Sequence, residues 1–252
     1  MSLADRLKYA EMKARHEKRL RPWYQKWWGI FILVIIALIL IGLISSAFYV
    51  YKEVKRIQTE ESQNYLKNQR KSYEDLINGP GGYTLGSLNP KITIVEFTDF
   101  ACPFCKESAP EIRKLMEQYK DNVKLVVRDY PIHDNSIDLA LAARCAGEQG
   151  KYWEAYDYLF AEQDNLKDTG EALKANLLAW AEILQLDVTK FSTCFTERRY
   201  VDLIKRDYDD GNKLQIKGTP TWFVNYYPIT GYYSIEKFQE LLDGILQKYG
   251  TN

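Results

Sequence analysis

Net charge is the first thing this sequence lacks. Its 34 Lys and Arg balance its 34 Asp and Glu, so it has no electrostatic surplus of the kind that a nucleic-acid binder uses. Cysteine is sparse: Cys102 and Cys105 form one close pair, and Cys145 and Cys194 stand alone. That is not the two close pairs of a zinc finger or ribbon. Internal repeats and low-complexity tracts are absent. Charge is also missing locally, from Trp27 to Tyr51, and this absence organises the N-terminal part of the chain.

Ile30 to Val50 is almost wholly apolar. At about 1.5 Å per residue, a helix over this run covers a hydrocarbon layer of ~30 Å. Trp23, Trp27 and Trp28 flank one end and Tyr49 and Tyr51 the other, as interfacial belts do. Ser45-Ser46-Ala47 offers small residues for cleavage, but the run is too long and its basic lead-in too extended for an ordinary signal peptide. The expectation is an uncleaved anchor: a basic cytoplasmic tail (1–26) and a transmembrane helix (27–51). Arg6, Lys8, Lys13, Arg15, Lys18, Arg19, Arg21 and Lys26, opposed only by Asp5, Glu11 and Glu17, place the tail inside and the rest outside the cytoplasm. The expected location is a single pass in the cell membrane, with the remainder in a periplasm or at the cell surface. Residues 52–82 read as a polar helical stalk or linker, broken by Asn78-Gly79-Pro80-Gly81-Gly82.

Residues 83–250 read as the globular domain. Lys91 to Phe97 is β-rich and apolar, as a central strand is. A helical pattern from Lys106 to Tyr119 contains Pro110, which predicts a kink. Val123 to Val127 is the next strand, giving a βαβ unit with a parallel pair. Helical patterns follow at Ser136–Ala146, Tyr152–Phe160, Glu171–Leu184 and within Val188–Asp210, and the aromatic stripe Tyr152, Trp153, Tyr156, Phe160 reads as core. β character returns at Thr221–Asn225, with a turn expected over residues 226–231 and a short strand around Tyr232. Ser234 suits the N-cap of a last helix, Ile235–Tyr249.

The chemistry concentrates in Cys102-Pro103-Phe104-Cys105, between the first strand and the first helix. Pro103 fits the first helical position, which puts Cys102 at the N-cap. The unpaired N–H groups and the dipole there favour negative charge, and the thiolate is the reactive form of cysteine. This is a candidate redox site; the competing reading is a structural disulfide or two inert thiols.

Three features together resemble the DsbA-like branch of the thioredoxin-fold thiol:disulfide oxidoreductases: the segment IVEFTDFACPFC (Ile94–Cys105), the run Gly218-Thr219-Pro220-Thr221, and a helical region inserted at about 131–213. The resemblance implies an α/β, thioredoxin-like fold with an inserted helical subdomain, preceded by one N-terminal transmembrane helix. It implies Cys102 as nucleophile and Cys105 as its partner. It also implies a cis Thr219–Pro220 bond against the pair, with the Thr219 backbone free to align an extended substrate. Glu96 matches the place of a buried acid that accepts the Cys105 proton, although a residue on a strand has the alternative of facing solvent. Lys106 either favours the thiolate or is a solvated helix lysine, and His133 reads as a surface loop residue. Cys145 and Cys194, at helix ends in the insertion, are expected to form a structural disulfide; the rival is a second redox pair.

The expected function is introduction of disulfides into unfolded or reduced extracytoplasmic proteins. By resemblance, a membrane quinone-coupled protein of the DsbB or vitamin-K-epoxide-reductase type reoxidises the pair, and no organic cofactor is needed. Phe104 stands where strongly oxidising members carry histidine, which keeps a reductase or isomerase in contention. A non-catalytic chaperone or binding module on the same scaffold is the alternative of another class.

Overall fold

The computed structural model describes residues 2–20 and 23–250. Arg21, counted above among the bases of the tail, lies outside the described residues. The elements in order begin with α1 (Leu3–Leu20), a 3-10 turn (Trp23–Gln25) and α2 (Trp27–Asn78). Next come β1 (Tyr83–Gly86), β2 (Ile92–Thr98), α3 (Pro103–Tyr119) and β3 (Val123–Asp129). The helical region holds α4 (Ser136–Gly147), α5 (Tyr152–Ala161), a 3-10 turn (Gln163–Asn165), α6 (Gly170–Ile183), α7 (Val188–Thr196) and α8 (Val201–Lys213). β4 (Thr221–Val224), β5 (Tyr227–Thr230) and α9 (Ile235–Gly250) follow.

Two compact units result, Met1–Asn68 and Gln69–Asn252. The first holds α1 and most of α2, a helix long and apolar enough to cross a membrane. No break separates its apolar segment from the polar one that follows.

The second unit is built on a five-stranded sheet in the order β1-β3-β2-β4-β5. β2 and β3 are parallel, and the other pairings are antiparallel. Side chains of β2 alternate between two cores, as the strand period requires. Ile92 and Ile94 join Ile112, Leu115, Val127, Trp222 and the buried faces of the inserted helices. Val95 and Phe97 join Val126, Tyr130, Phe223 and Ile77 in a smaller cluster on the other face. Ile77 lies in the last turns of α2, so the compact unit starts inside the segment read above as a linker.

Two strands differ from the sequence reading. β1 has no counterpart in the sequence reading: four residues between the glycine-rich run 79–82 and Ser87-Leu88-Asn89-Pro90 carry little periodic signal, and pairing with β3 supplies the order. The strand expected around Tyr232 is β5, placed where a turn was expected. Asn225 and Tyr226 both take positive φ, 45° and 77°, and Val224 pairs directly with Tyr227. That two-residue hairpin returns the chain to strand geometry earlier than the sequence suggests. Pro228, which donates no backbone hydrogen bond, is accommodated because β5 is an edge strand.

Cys145 on α4 and Cys194 on α7 are joined by a disulfide, with Cα atoms 5.8 Å apart and a sequence separation of 49. Both are buried. Closing a loop of that length constrains the unfolded chain by up to about 4 kcal/mol. The double variant Cys145→Ala/Cys194→Ala is therefore expected to lower Tm by roughly 8–16 °C, near 2–4 °C per kcal/mol for a domain of this size. Thermal denaturation of the detergent-solubilised chain measures it, and an unchanged Tm assigns the bridge no stabilising role.

Candidate redox active site

The site forms where β2 ends and α3 begins. Asp99 shapes the turn between them: its carbonyl accepts from the Cys102 N–H at 3.0 Å, and its Oδ1 accepts from the Ala101 N–H at 2.8 Å. Cys102 is the N-cap of α3, with φ −80° and ψ 125°, and Pro103 opens the helix. α3 continues through Pro110 to Tyr119. From the other side β4 brings up the loop before it. Thr219–Pro220 is cis, the Thr221 hydroxyl donates to the Gly218 carbonyl at 2.7 Å, and the Cys102 thiol donates to the Thr219 carbonyl at 3.2 Å.

The two sulfurs differ in character. The Cys105 thiol donates toward Cys102, and together with the Thr219 side chain and the backbone N–H groups of Cys105 and Phe104 it overcomes burial and brings the Cys102 thiol down to about 6. Burial pushes Cys105 well above the ordinary thiol range, with the Cys102 charge and the Glu96 carboxylate adding to the effect. One sulfur is thus a thiolate at neutral pH, and the other keeps its proton.

Glu96 is fully buried on β2, in register with Trp222 of β4. The solvent-facing alternative is excluded by this placement. The Tyr156 hydroxyl donates to its Oε2 at 3.0 Å, while Oε1 has no hydrogen-bond partner among the described residues. Burial raises its pKa to about 7, with the Tyr156 hydrogen bond pulling the other way. A carboxyl poised there holds or releases a proton near neutrality, below the pair.

Cys102, Cys105, Thr219, Pro220 and Glu96 therefore come together at the join of β2, α3 and the loop before β4. Lys106 turns away to Asp164, at 2.5 Å. Phe104 projects into solvent, 58% exposed. His133 lies in the loop after β3, its Nδ1 2.7 Å from the Asp99 Oδ2.

Sequence reasoning passed over three residues around this site. Asp99 accepts hydrogen bonds from Ala101, Ile132, His133 and Ser136; an Asp just ahead of a turn was the available clue. Tyr156 was assigned to the core, and it does pack on Phe100 and Phe160, but its hydroxyl also serves Glu96. Gln163 gave no sequence signal at all.

The Thioredoxin_4 family, described as thioredoxin, matches residues 78–244. A thioredoxin-like oxidoreductase from Silicibacter pomeroyi is 27% identical, covers 69% of this chain and 97% of its own, and superposes with a TM-score of 0.58. The thiol-disulfide exchange protein alpha-DsbA2 from Wolbachia pipientis is 19% identical, with coverage of 73% and 98% and a TM-score of 0.62. BdbD from Bacillus subtilis is 22% identical, with coverage of 65% and 92% and a TM-score of 0.59. A protein named Na(+)/H(+) antiporter NhaA 3, from Salinispora tropica, is 38% identical over 154 residues, 60% of this chain but 22% of that protein. The chain spans about a fifth of the length of the curated relatives it matches, and the antiporter's name describes a protein most of which lies outside the match. With the helical insertion in place between β3 and β4 and most of the sheet-bearing unit matched, the chain belongs to the Thioredoxin_4 family and has the fold of the DsbA-like thiol:disulfide oxidoreductases.

Proposed function

We propose that this chain is a membrane-anchored thiol:disulfide oxidoreductase that introduces disulfides into extracytoplasmic proteins through Cys102 and Cys105. The observation that carries the reading is the asymmetry of the pair: Cys102 caps the start of α3 against the cis Thr219–Pro220 loop while Cys105 is fully enclosed behind it, which holds the first thiol near 6 and the second far above it. A substrate thiolate attacks the Cys102 sulfur of the oxidised pair. The Cys102–Cys105 bond breaks, a mixed disulfide forms, and Cys105 leaves with the electron pair and takes up a proton, for which Glu96, the buried acid whose charge acts on Cys105, is the source. A second substrate thiolate then attacks the substrate sulfur, and Cys102 departs as a stabilised thiolate. The substrate loses two electrons and the pair gains them; a quinone-coupled membrane protein of the DsbB or vitamin-K-epoxide-reductase type takes them away. Phe104 offers unfolded substrates an apolar contact. The anchor is the apolar segment of α2, with α1 on the cytoplasmic side.

Redox titration tests the reading. Below about pH 6 the reduced pair carries two protons, and its potential falls by about 59 mV per pH unit. Above that, only Cys105 stays protonated, and the slope halves to about 30 mV. A break near pH 6, a potential more oxidising than the glutathione couple, and oxidation of a reduced unfolded substrate are expected. A break above pH 8 removes the asymmetry on which the proposal stands, and a potential more reducing than glutathione selects the reductase reading.

A further inference from the structure

The inserted helices do more than cover the sheet. Between α5 and α6 the 3-10 turn Gln163–Asn165 comes back to the active site, and Gln163 is buried there, 7% exposed. Its side-chain amide donates to the carbonyls of Phe100 and Cys102, each at 2.9 Å. The amide nitrogen has two protons and two acceptors, so its donor capacity is fully used. The two carbonyls bracket Ala101 and Cys102, the residues that carry the chain from the end of β2 into α3. The Cys102 carbonyl also accepts the first helical hydrogen bond of α3, from the Lys106 N–H at 3.1 Å. The next residue of the same turn, Asp164, pairs with Lys106 at 2.5 Å. Leu166 is held in turn, its carbonyl accepting from the Asn135 amide. The turn is therefore fixed to the insertion and grips the catalytic turn over a separation of more than 60 residues.

We propose that Gln163 is a positioning residue: its amide clamps the peptide groups on either side of the Ala101–Cys102 unit and holds the Cys102 sulfur over the opening N–H groups of α3. The claim rests on the reading of Cys102 as nucleophile and adds to it. Both bonds are neutral, from amide to carbonyl. They are made here to the backbone that sets the sulfur's electrostatic surroundings, not to the sulfur itself. Without them the Phe100 carbonyl has lost its donor and the cap geometry is free to relax, so the N–H groups no longer converge on the thiolate.

The test is the pH profile of iodoacetamide alkylation of the reduced, detergent-solubilised chain. Variants are Gln163→Met, which fills the space without a donor, and Gln163→Glu, which has the same shape but only accepts when ionised. Asp164→Ala serves as control, because it removes the Lys106 ion pair and leaves the amide. Wild type is expected to show a reactive thiol with a midpoint near 6. In Gln163→Met and Gln163→Glu the midpoint rises by about one pH unit, and alkylation at pH 6 falls several-fold, approaching tenfold further below the midpoint. Asp164→Ala keeps the wild-type midpoint. Superposable wild-type and Gln163 profiles overturn the proposal, as does an Asp164→Ala profile shifted as far as theirs; a lower Tm with an unmoved midpoint gives Gln163 a merely structural role and also overturns it. If wild type itself is inert at pH 6, the nucleophile reading has failed, and that outcome is separate from any failure of the clamp.

Discussion

Cys102→Ser is expected to reduce oxidation of a dithiol substrate by roughly a thousandfold or more, to the uncatalysed background, because a hydroxyl forms no disulfide. Cys105→Ser is expected to behave differently. It retains the sulfur at the start of α3, whose position is set by Asp99, by Pro103 and by the Thr219 carbonyl. It loses the thiol that releases a bound partner, so it should accumulate long-lived mixed disulfides when mixed with a disulfide-bearing peptide. Non-reducing gels and intact mass read both outcomes. Oxidase activity in Cys102→Ser above a tenth of wild type would falsify the mechanism. A mixed disulfide carried by Cys102→Ser through Cys105 would reverse the roles of the two sulfurs. Burial argues against that reversal: Cys105 is fully enclosed and Cys102 marginally accessible, at 0% and 3%.

The second large effect lies away from the chemistry, under the sheet. Arg128 on β3 is completely buried, and its Nε and Nη2 donate to the Asp207 Oδ1 at 2.9 and 2.6 Å. Nη2 also reaches the Asp210 Oδ2 at 2.8 Å. Arg144 on α4 donates to the Asp207 Oδ2 at 2.7 Å and to the Asp129 Oδ2 at 2.5 Å. Asp207 thus stands between two buried guanidinium groups. Asp207→Ala is expected to cost about 3–5 kcal/mol, since it strands charge in a low-dielectric interior, and to lower Tm by roughly 6–20 °C. Asp138→Ala, which breaks the surface pair with Arg198, is expected to cost about 1 kcal/mol or less. Denaturant titration of the two variants separates these values. Equal, small losses would mean that the buried network is compensated elsewhere.

The reach of sequence reasoning follows from where each signal resides. Cys102, Pro103 and Cys105 declare a helix start because capping is local: the donors, the N-cap and the proline all lie within one turn. The β2 run declares itself because a central strand is apolar on both faces. β1 and the β4–β5 hairpin are less visible. The first is too short to show a period, and the second turns on a tyrosine in the left-handed region, a conformation that the residue type disfavours. The contacts that finish the site are not local at all. Gln163 and Tyr156 act on residues about 60 positions away, and Asp207 answers Arg128 across 79. A glutamine, a tyrosine and an aspartate on amphipathic helices look like ordinary surface or core choices until the chain has closed on itself.

The last turns of α2 have a mechanical aspect of their own. Ile77 is part of the smaller core, Tyr73 packs edge-on against Phe223, and the Arg128 guanidinium donates to the carbonyls of Leu76 and Ile77. The helix end is therefore rooted in β3 and β4 rather than tied on by a slack strand. Side-chain packing and charge-assisted hydrogen bonds hold residues 73–77 ahead of the glycine-rich segment that follows. Residues 73–77 of α2 thus belong to the packed body of the second unit, on the side of the sheet that carries Val95 and Phe97.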